Sequence, residues 1–314
     1  ASATYDGSNW TIEDSSSNSN DGTSSGMTQA NLVQSDLSFK TSYSPFALNF
    51  DGTNDRIDTG AKILNNMTSY TASIWAKGWS TSALTTIMSQ YDGGSVAPLI
   101  LTARHSSNTN GFTAWLTLGG TFYTSHNDIG FSDNTKWINL IVTWNGSNLI
   151  LYINGIAGDV TSASGTIDNS TTYNFHIGGY SNVTSNSYNG QLSNCSVWNT
   201  ALTSTQVTEI YAEGIPQNLL NHSAASSLVS WWQLGSNSSF NSSLNQWTCI
   251  DEKGTNTGVS SQTFGEDAIV DGVGSYANGV GTSGLEVVGS AFGSTANALS
   301  VNMDVLDRTT DTPS

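Results

Sequence analysis

The sequence predicts an all-β chain: two antiparallel sheets packed face to face, one short helix near 203–213, and an extended C-terminal segment. Three observations carry this. Short apolar runs recur between Gly/Asn/Ser/Thr turns along most of the chain. The stretch 137–155, WINLIVTWNGSNLILYING, reads as two strands, 137–144 and 149–153, joined by the polar turn Asn145 to Asn148. Its Asn-Gly pair supplies the positive backbone angles that a tight hairpin needs. Convincing helix signals occur in 203–213 alone.

In chain order, residues 1–45 are mostly Ser, Asn, Gly and Thr, with one patterned island at Asn9 to Asp14. They are expected to form a leading segment that packs on the sandwich. Residues 46–215 form the main domain, with strands expected at 83–90, 98–103, 111–118, 121–126 and 174–177 in addition to the hairpin. The helix is read from the capping-box spacing of Thr203 and Gln206 and from the apolar face of Val207, Ile210 and Tyr211. Gly214 can close it, and Pro216 prevents continuation.

Residues 216–264 read as a partial second repeat. Trp-Thr-x-x-Asp occurs at Trp10 to Asp14 and again at Trp247 to Asp251, each followed by a polar turn. The apolar strand Ser227 to Gly235 stands before the second copy, with no equivalent before the first. This segment either donates a strand to the first domain or forms a small hairpin of its own. Residues 265–314 are Gly/Ser/Ala-rich, with small apolar islands at 285–288 and 298–303. They hold too few large side chains for a core and are expected to lie on another domain or a neighbouring subunit.

Six stretches carry a family resemblance: 47–60 (ALNFDGTNDRIDTG), 70–77 (YTASIWAK), 137–155, 176–179 (HIGG), 188–199 (YNGQLSNCSVWN) and 201–211. In that order, over roughly 46–214, they resemble the laminin-G-like jelly roll of the concanavalin A-like lectin/glucanase superfamily. The resemblance implies a jelly-roll sandwich. It implies too that Ser227 to Gly235 matches the family's leading strand, so the N-terminal copy lacks one, as at a processed or truncated start. The ending, 297–314, resembles the tails of structural proteins of marine tailed phages.

Charged residues make up 10% of the chain, while 37% is hydrophobic, with 10 Trp, 11 Tyr and 10 Phe. Apolar content of that order supports a folded core beneath a neutral, hydrogen-bonding surface. The balance of 8 basic against 24 acidic residues gives a formal charge of −16, which repels phosphate backbones and anionic membranes. No apolar run is long enough to span a bilayer, and no secretory leader pattern opens the chain. Cys195 and Cys249 make no disulfide framework; Cys195 reads as a small buried hydrophobe, and a bridge between the two stays open.

The superfamily includes glucanases, whose acid pair lies in a Glu-x-Asp-x-(x)-Glu strand. The chain has no such motif, and its Glu residues 13, 209, 213, 252, 266 and 286 fall in turns, the helix or the tail. Retaining hydrolysis needs two carboxylates about 5 Å apart, so a non-enzymatic protein is expected. Calcium is the cofactor considered, with Asp51, Asn54, Asp55 and Asp58 as oxygen donors. The same residues also make a good turn. Related jelly rolls often carry calcium, but the family's acidic pair in the final strand is Ser193 and Asn194 here.

Sugars are held by flat aromatic faces and planar hydrogen-bonding groups. The candidates in loops and at strand ends are Trp79, Tyr91, Asp92, His105, Asn108, Trp115, Tyr123 and His126, while Trp75, Trp144 and Trp198 are expected in the core. His105 and His126 read first as solvated or packed histidines, with a ligand contact as the alternative. The leading expectation is a virion structural subunit, located in a virion or on an extracellular surface. Its partners would be neighbouring virion or filament subunits, with a homo-oligomer expected and neither nucleic acid nor membrane. The alternative is a carbohydrate-binding module for host-surface glycans.

Overall fold

A computed structural model describes residues 3–12, 20–25, 44–91, 94–180, 186–273, 280–281 and 284–285. The chain divides into two compact units, Ala1–Phe39 and Lys40–Ser314. The first contains a three-stranded antiparallel sheet of β1 (Ala3–Tyr5), β2 (Trp10–Ile12) and β3 (Gly22–Thr23). The β1–β2 turn is closed by the Asp6 carboxylate, which accepts the backbone N–H groups of Ser8 and Asn9 at 2.7 Å each.

The second unit is a two-sheet sandwich. One sheet is built from β5 (Ile57–Asp58), β7 (Thr85–Gln90), β8 (Leu99–His105), β9 (Asn108–Leu118), β10 (Thr121–Asn127), β14 (His176–Ile177), β17 (Ser238–Asn241), β18 (Gln246–Cys249) and β19 (Gly258–Ser260). Its order is β10-β9-β8-β7-β14-β5-β19-β18-β17. The other is built from β4 (Phe46–Asp51), β6 (Tyr70–Lys77), β11 (Ile138–Trp144), β12 (Asn148–Ile153), β13 (Ile156–Ser162), β15 (Asn189–Trp198), β16 (Leu228–Trp232) and β20 (Ile269–Asp271). Its order is β13-β12-β11-β6-β15-β4-β20, with β16 paired to β15. All pairings between these strands are antiparallel.

Alternation fills the space between the sheets. Leu48, Phe50, Ile74, Leu140 and Leu151 from one sheet meet Leu101, Phe112, Leu116 and Ile177 from the other, all fully buried. Alternate residues of a strand point to opposite faces, so the intervening positions need their own cover. On the eight-stranded sheet they have it. The connection after β15 folds back as α1 (Ser204–Tyr211) and short 3₁₀ turns. There Trp198, Leu202, Val207, Ile210, Leu219 and Trp231 form a second apolar cluster with Ile141 and Tyr152. Covered on both sides, β6 and β11 are buried almost throughout.

The helix is shorter than the 203–213 expected: the α-helical part stops at Tyr211, and a 3₁₀ turn, Ala212–Gly214, follows. Its capping box forms as the spacing implied, but the left-handed closing residue is Ala212, at φ +43°, ahead of Gly214. The Asn145–Asn148 turn also closes differently. Gly146 alone takes a positive φ, and the Asn145 side chain accepts the N–H groups of Ser147 and Asn148. The Asn-Gly pair with two positive angles is Asn154 and Gly155, which turns β12 into β13.

The chain after Gly214 adds strands to both sheets: β16 pairs with β15, β19 with β5, and β20 with β4. The island 298–303, most of 285–288 and the tail lie outside the described residues. Val280–Gly281 and Gly284–Leu285 pair as a short ribbon. Trp75, Trp144 and Trp198 are buried as expected. Cys195 and Cys249 are free buried thiols; burial raises both above the usual thiol range, Cys249 to about 12.

Candidate functional site

Among the described residues α1 and its flanking turns pack on the eight-stranded sheet, and the outer face of the nine-stranded sheet holds the candidate site. Register fixes which residues share that face. Thr124, Trp115, Ile100, Ser89, His176 and Asp58 are successive cross-strand partners over β10, β9, β8, β7, β14 and β5. At about 4.8 Å between strands, this row extends roughly 24 Å.

Trp115 dominates one end of the row. On β9, Phe112, Ala114, Leu116 and Leu118 turn into the core, which sends Thr113, Trp115 and Thr117 outward. The His105 ring meets the Trp115 indole edge-to-face at 4.1 Å, and Phe122 meets it edge-to-face at 5.9 Å. Phe122 is 41% exposed. His126 stands on the same face, with Nδ1 3.0 Å from the Thr113 hydroxyl and Nε2 3.4 Å from that of Thr124. The Trp115 indole N–H has no hydrogen-bond partner, and a buried donor without an acceptor calls for an explanation.

His105 ends β8 where Arg104, at φ +55°, breaks the regular strand. Its Nδ1 accepts the Ser107 backbone N–H at 3.1 Å, which requires the neutral ring. Burial, and then the charge of nearby His126, hold it below the usual imidazole value. Across this hairpin Asn108 pairs with His105 and donates its side-chain amide to Asp128 at 2.7 Å. Beside the cluster, at the joint between β10 and β13, a cleft of about 390 Å³ is lined by His126, Asn127, Asp128, Ile129, Gly158 and Asp159.

The structure thus brings His105, Asn108, Trp115 and His126 together. It removes Trp79, which is fully buried, donates its indole N–H to the Phe131 carbonyl at 2.9 Å, and packs edge-on against Phe112. Tyr123 is also displaced from the expected site: it pairs with Leu116 and packs against the core, leaving Phe122 outward. Tyr91 stands two residues beyond Ser89, its ring 5.2 Å from that of Tyr180 and its hydroxyl donating to the Gly94 carbonyl. Asp92 lies outside the described residues. Phe122, Thr113 and Thr124 were not among the expected residues; the alternation along β9 was the available signal for Thr113.

Of the residues considered for calcium, the three Asp carboxylates accept hydrogen bonds. Asp51 accepts the Thr53 N–H, buried Asp55 accepts the Asp51 N–H, and Asp58 accepts the Gly60 N–H and the Asn174 amide. Asp58 belongs to the outer row, 3.7 Å from His176 Nε2. Ser193 and Asn194 sit in a buried bulge of β15; the Ser193 hydroxyl donates to backbone carbonyls, and Asn194 Oδ1 accepts from Trp231. Among the described residues no group of three or more His, Cys, Asp or Glu is placed to hold a metal ion.

Glu209 is bonded to the backbone and hydroxyl of Ser223, and Glu252 accepts from the Asn237 amide. Asp58 is the acid within the six-residue row. No described helix is long and apolar enough to cross a membrane.

A family model described as the concanavalin A-like lectin/glucanases superfamily matches residues 51–208. No curated protein sequence matches. Among solved structures, a Bacteroides ovatus protein assigned to carbohydrate binding superposes with a TM-score of 0.53 at 16% identity, covering 73% of this chain and 60% of the other. The heptameric SAP-like pentraxin of Limulus polyphemus gives 0.44 at 17% identity, covering 54% and 82%. Domain 4 of an extracellular arabinanase from Geobacillus stearothermophilus, solved with arabinotriose, gives 0.40 at 17% identity, covering 52% and 76%. At these identities the likeness is one of fold.

Proposed function

The chain belongs to the concanavalin A-like lectin/glucanases superfamily, and from that premise we propose that it is a carbohydrate-binding module whose ligand lies against Trp115. The observation that carries the reading is the Trp115 cluster on the outer face of the nine-stranded sheet: an indole flanked edge-on by His105 and Phe122, with its N–H unpartnered. A pyranose ring offers apolar C–H faces to such an indole and hydroxyls to its surroundings. Asn108, Asp128, His126 and Thr124 supply donors and acceptors around it. We read the ligand as bound without being cut, because the family's glucanases place their acid pair in a Glu-x-Asp-x-(x)-Glu strand and this sequence contains no such strand.

Titration calorimetry against a panel of oligosaccharides tests this. Wild type is expected to bind at least one member, and Trp115→Ala to lose that binding while keeping its circular dichroism and melting temperature. Absence of binding across the panel would refute the reading.

A second role, as a structural subunit in a virion or another extracellular assembly, is supported by the Gly/Ser-rich composition of 265–314. It is compatible with the first. Light scattering on the full chain and on a chain ending at 273 separates them: a monomer in both cases removes the assembly role.

A further inference from the structure

Resting on the sugar-binding reading above, we propose that the Trp115 site selects neutral glycans and rejects glycans that carry carboxylate, sulfate or phosphate groups. Recognition of an anionic sugar needs a cation at the site, most often the guanidinium fork of Arg or the ammonium of Lys. The site has none to give. Through the whole stretch 78–135, which contains β7 to β10 and their turns, the basic residue is Arg104, and 154–187 contains no Lys or Arg at all. Arg104 is committed elsewhere, its Nε donating to the Thr81 carbonyl at 3.0 Å.

The charges that do stand at the site are negative. Asp128 is joined through Asn108 to the His105 hairpin, and Asp159 lines the same cleft as His126 and Asp128. An anionic substituent seated against Trp115 would lose water, find no counter-charge, and face these carboxylates within the field of a chain of formal charge −16. His105 offers no relief near neutral pH, since its Nδ1 accepts the Ser107 N–H and the ring is uncharged. Hydroxyls of a neutral sugar meet the opposite situation. Each can donate to a carboxylate, and charge-assisted hydrogen bonds of that kind are among the stronger ones.

The experiment takes a neutral oligosaccharide and its sialylated and sulfated counterparts, titrated into the full chain at low and high sodium chloride. Wild type, Trp115→Ala and Asp159→Lys are compared. We expect the anionic members to bind at least tenfold more weakly than the neutral one. That gap should narrow in high salt, where the screening length falls to about 3 Å at 1 M, and narrow again in Asp159→Lys. Trp115-dependent binding of an anionic member as tight as the neutral one overturns the selectivity and leaves the sugar site standing. If wild type binds no member, or Trp115→Ala binds as well as wild type, the sugar site falls and the selectivity with it.

Discussion

Trp231 and Trp232 are neighbours in sequence and members of different cores. Trp232 pairs with Cys195 and points between the sheets, where it stacks on Phe175 with ring centroids 6.1 Å apart and an interplanar angle of 12°. Trp231 pairs with Ser196 and points the other way, into the cluster beneath α1. One short strand thereby ties the sandwich to its helical cover.

Truncating either indole should therefore damage a different layer. Trp232→Ala is expected to lower unfolding stability by about 3–5 kcal/mol, the usual range for a buried Trp. Trp231→Ala should lose a comparable amount but leave the inter-sheet packing intact, loosening α1 first. Urea unfolding followed by circular dichroism gives the totals, and amide exchange over 204–211 against 138–144 shows which layer opens.

A chain ending at Gly214 is expected not to fold. It would lack β16, β19 and β20, the partners of β15, β5 and β4, and would expose Cys195, Phe175 and Ile57 to water. Soluble yield and far-ultraviolet circular dichroism of the truncated chain check this. A stable, β-rich product would show that the later strands are dispensable.

Asp55 and His105 should respond to pH with opposite signs. Burial raises Asp55 from 3.8 to about 6, so the fold keeps a proton that the unfolded chain has released, and stability declines as pH rises from 3.8 through 6. Asp55→Asn keeps an acceptor for the Asp51 N–H and should stabilise the protein above pH 7 by on the order of 1–3 kcal/mol, with the gain vanishing below pH 4. His105, held below its ordinary 6.5, contributes stability at higher pH that is lost as acid protonates it. His105→Gln should therefore flatten the acid side of the melting profile as pH falls below the ordinary imidazole value of 6.5. Parallel shifts in both variants would contradict this assignment.

Legibility of the sequence followed burial. The strands at 111–118 and 121–126 were readable because one face of each is committed to the core, and 137–155 because both of its strands run through covered positions. The edge strand β13 was not, since Ile156 is 54% and Val160 62% exposed and no alternation marks an inside. In the candidate site, Trp115 was expected in a loop or at a strand end, whereas Phe112, Ala114 and Leu116 turning inward set it outward within β9. Trp79 and Tyr123 were misplaced for a different reason. Trp79 follows the end of β6, beyond the reach of alternation, and Phe122 and Tyr123 are adjacent aromatics whose orientation is decided by register with Thr117 and Leu116.

The joint between β10 and β13 has a further meaning for the molecule's flank. The Ser125 hydroxyl donates to the Asp159 carbonyl, the Thr161 hydroxyl to the Thr124 carbonyl, and the Asn127 amide to the Ile156 carbonyl. Backbone acceptors that an edge strand would otherwise offer to a stranger are occupied by its own sandwich. Lateral growth through this side is thereby discouraged, and a densely displayed population of such molecules would stay separate along it.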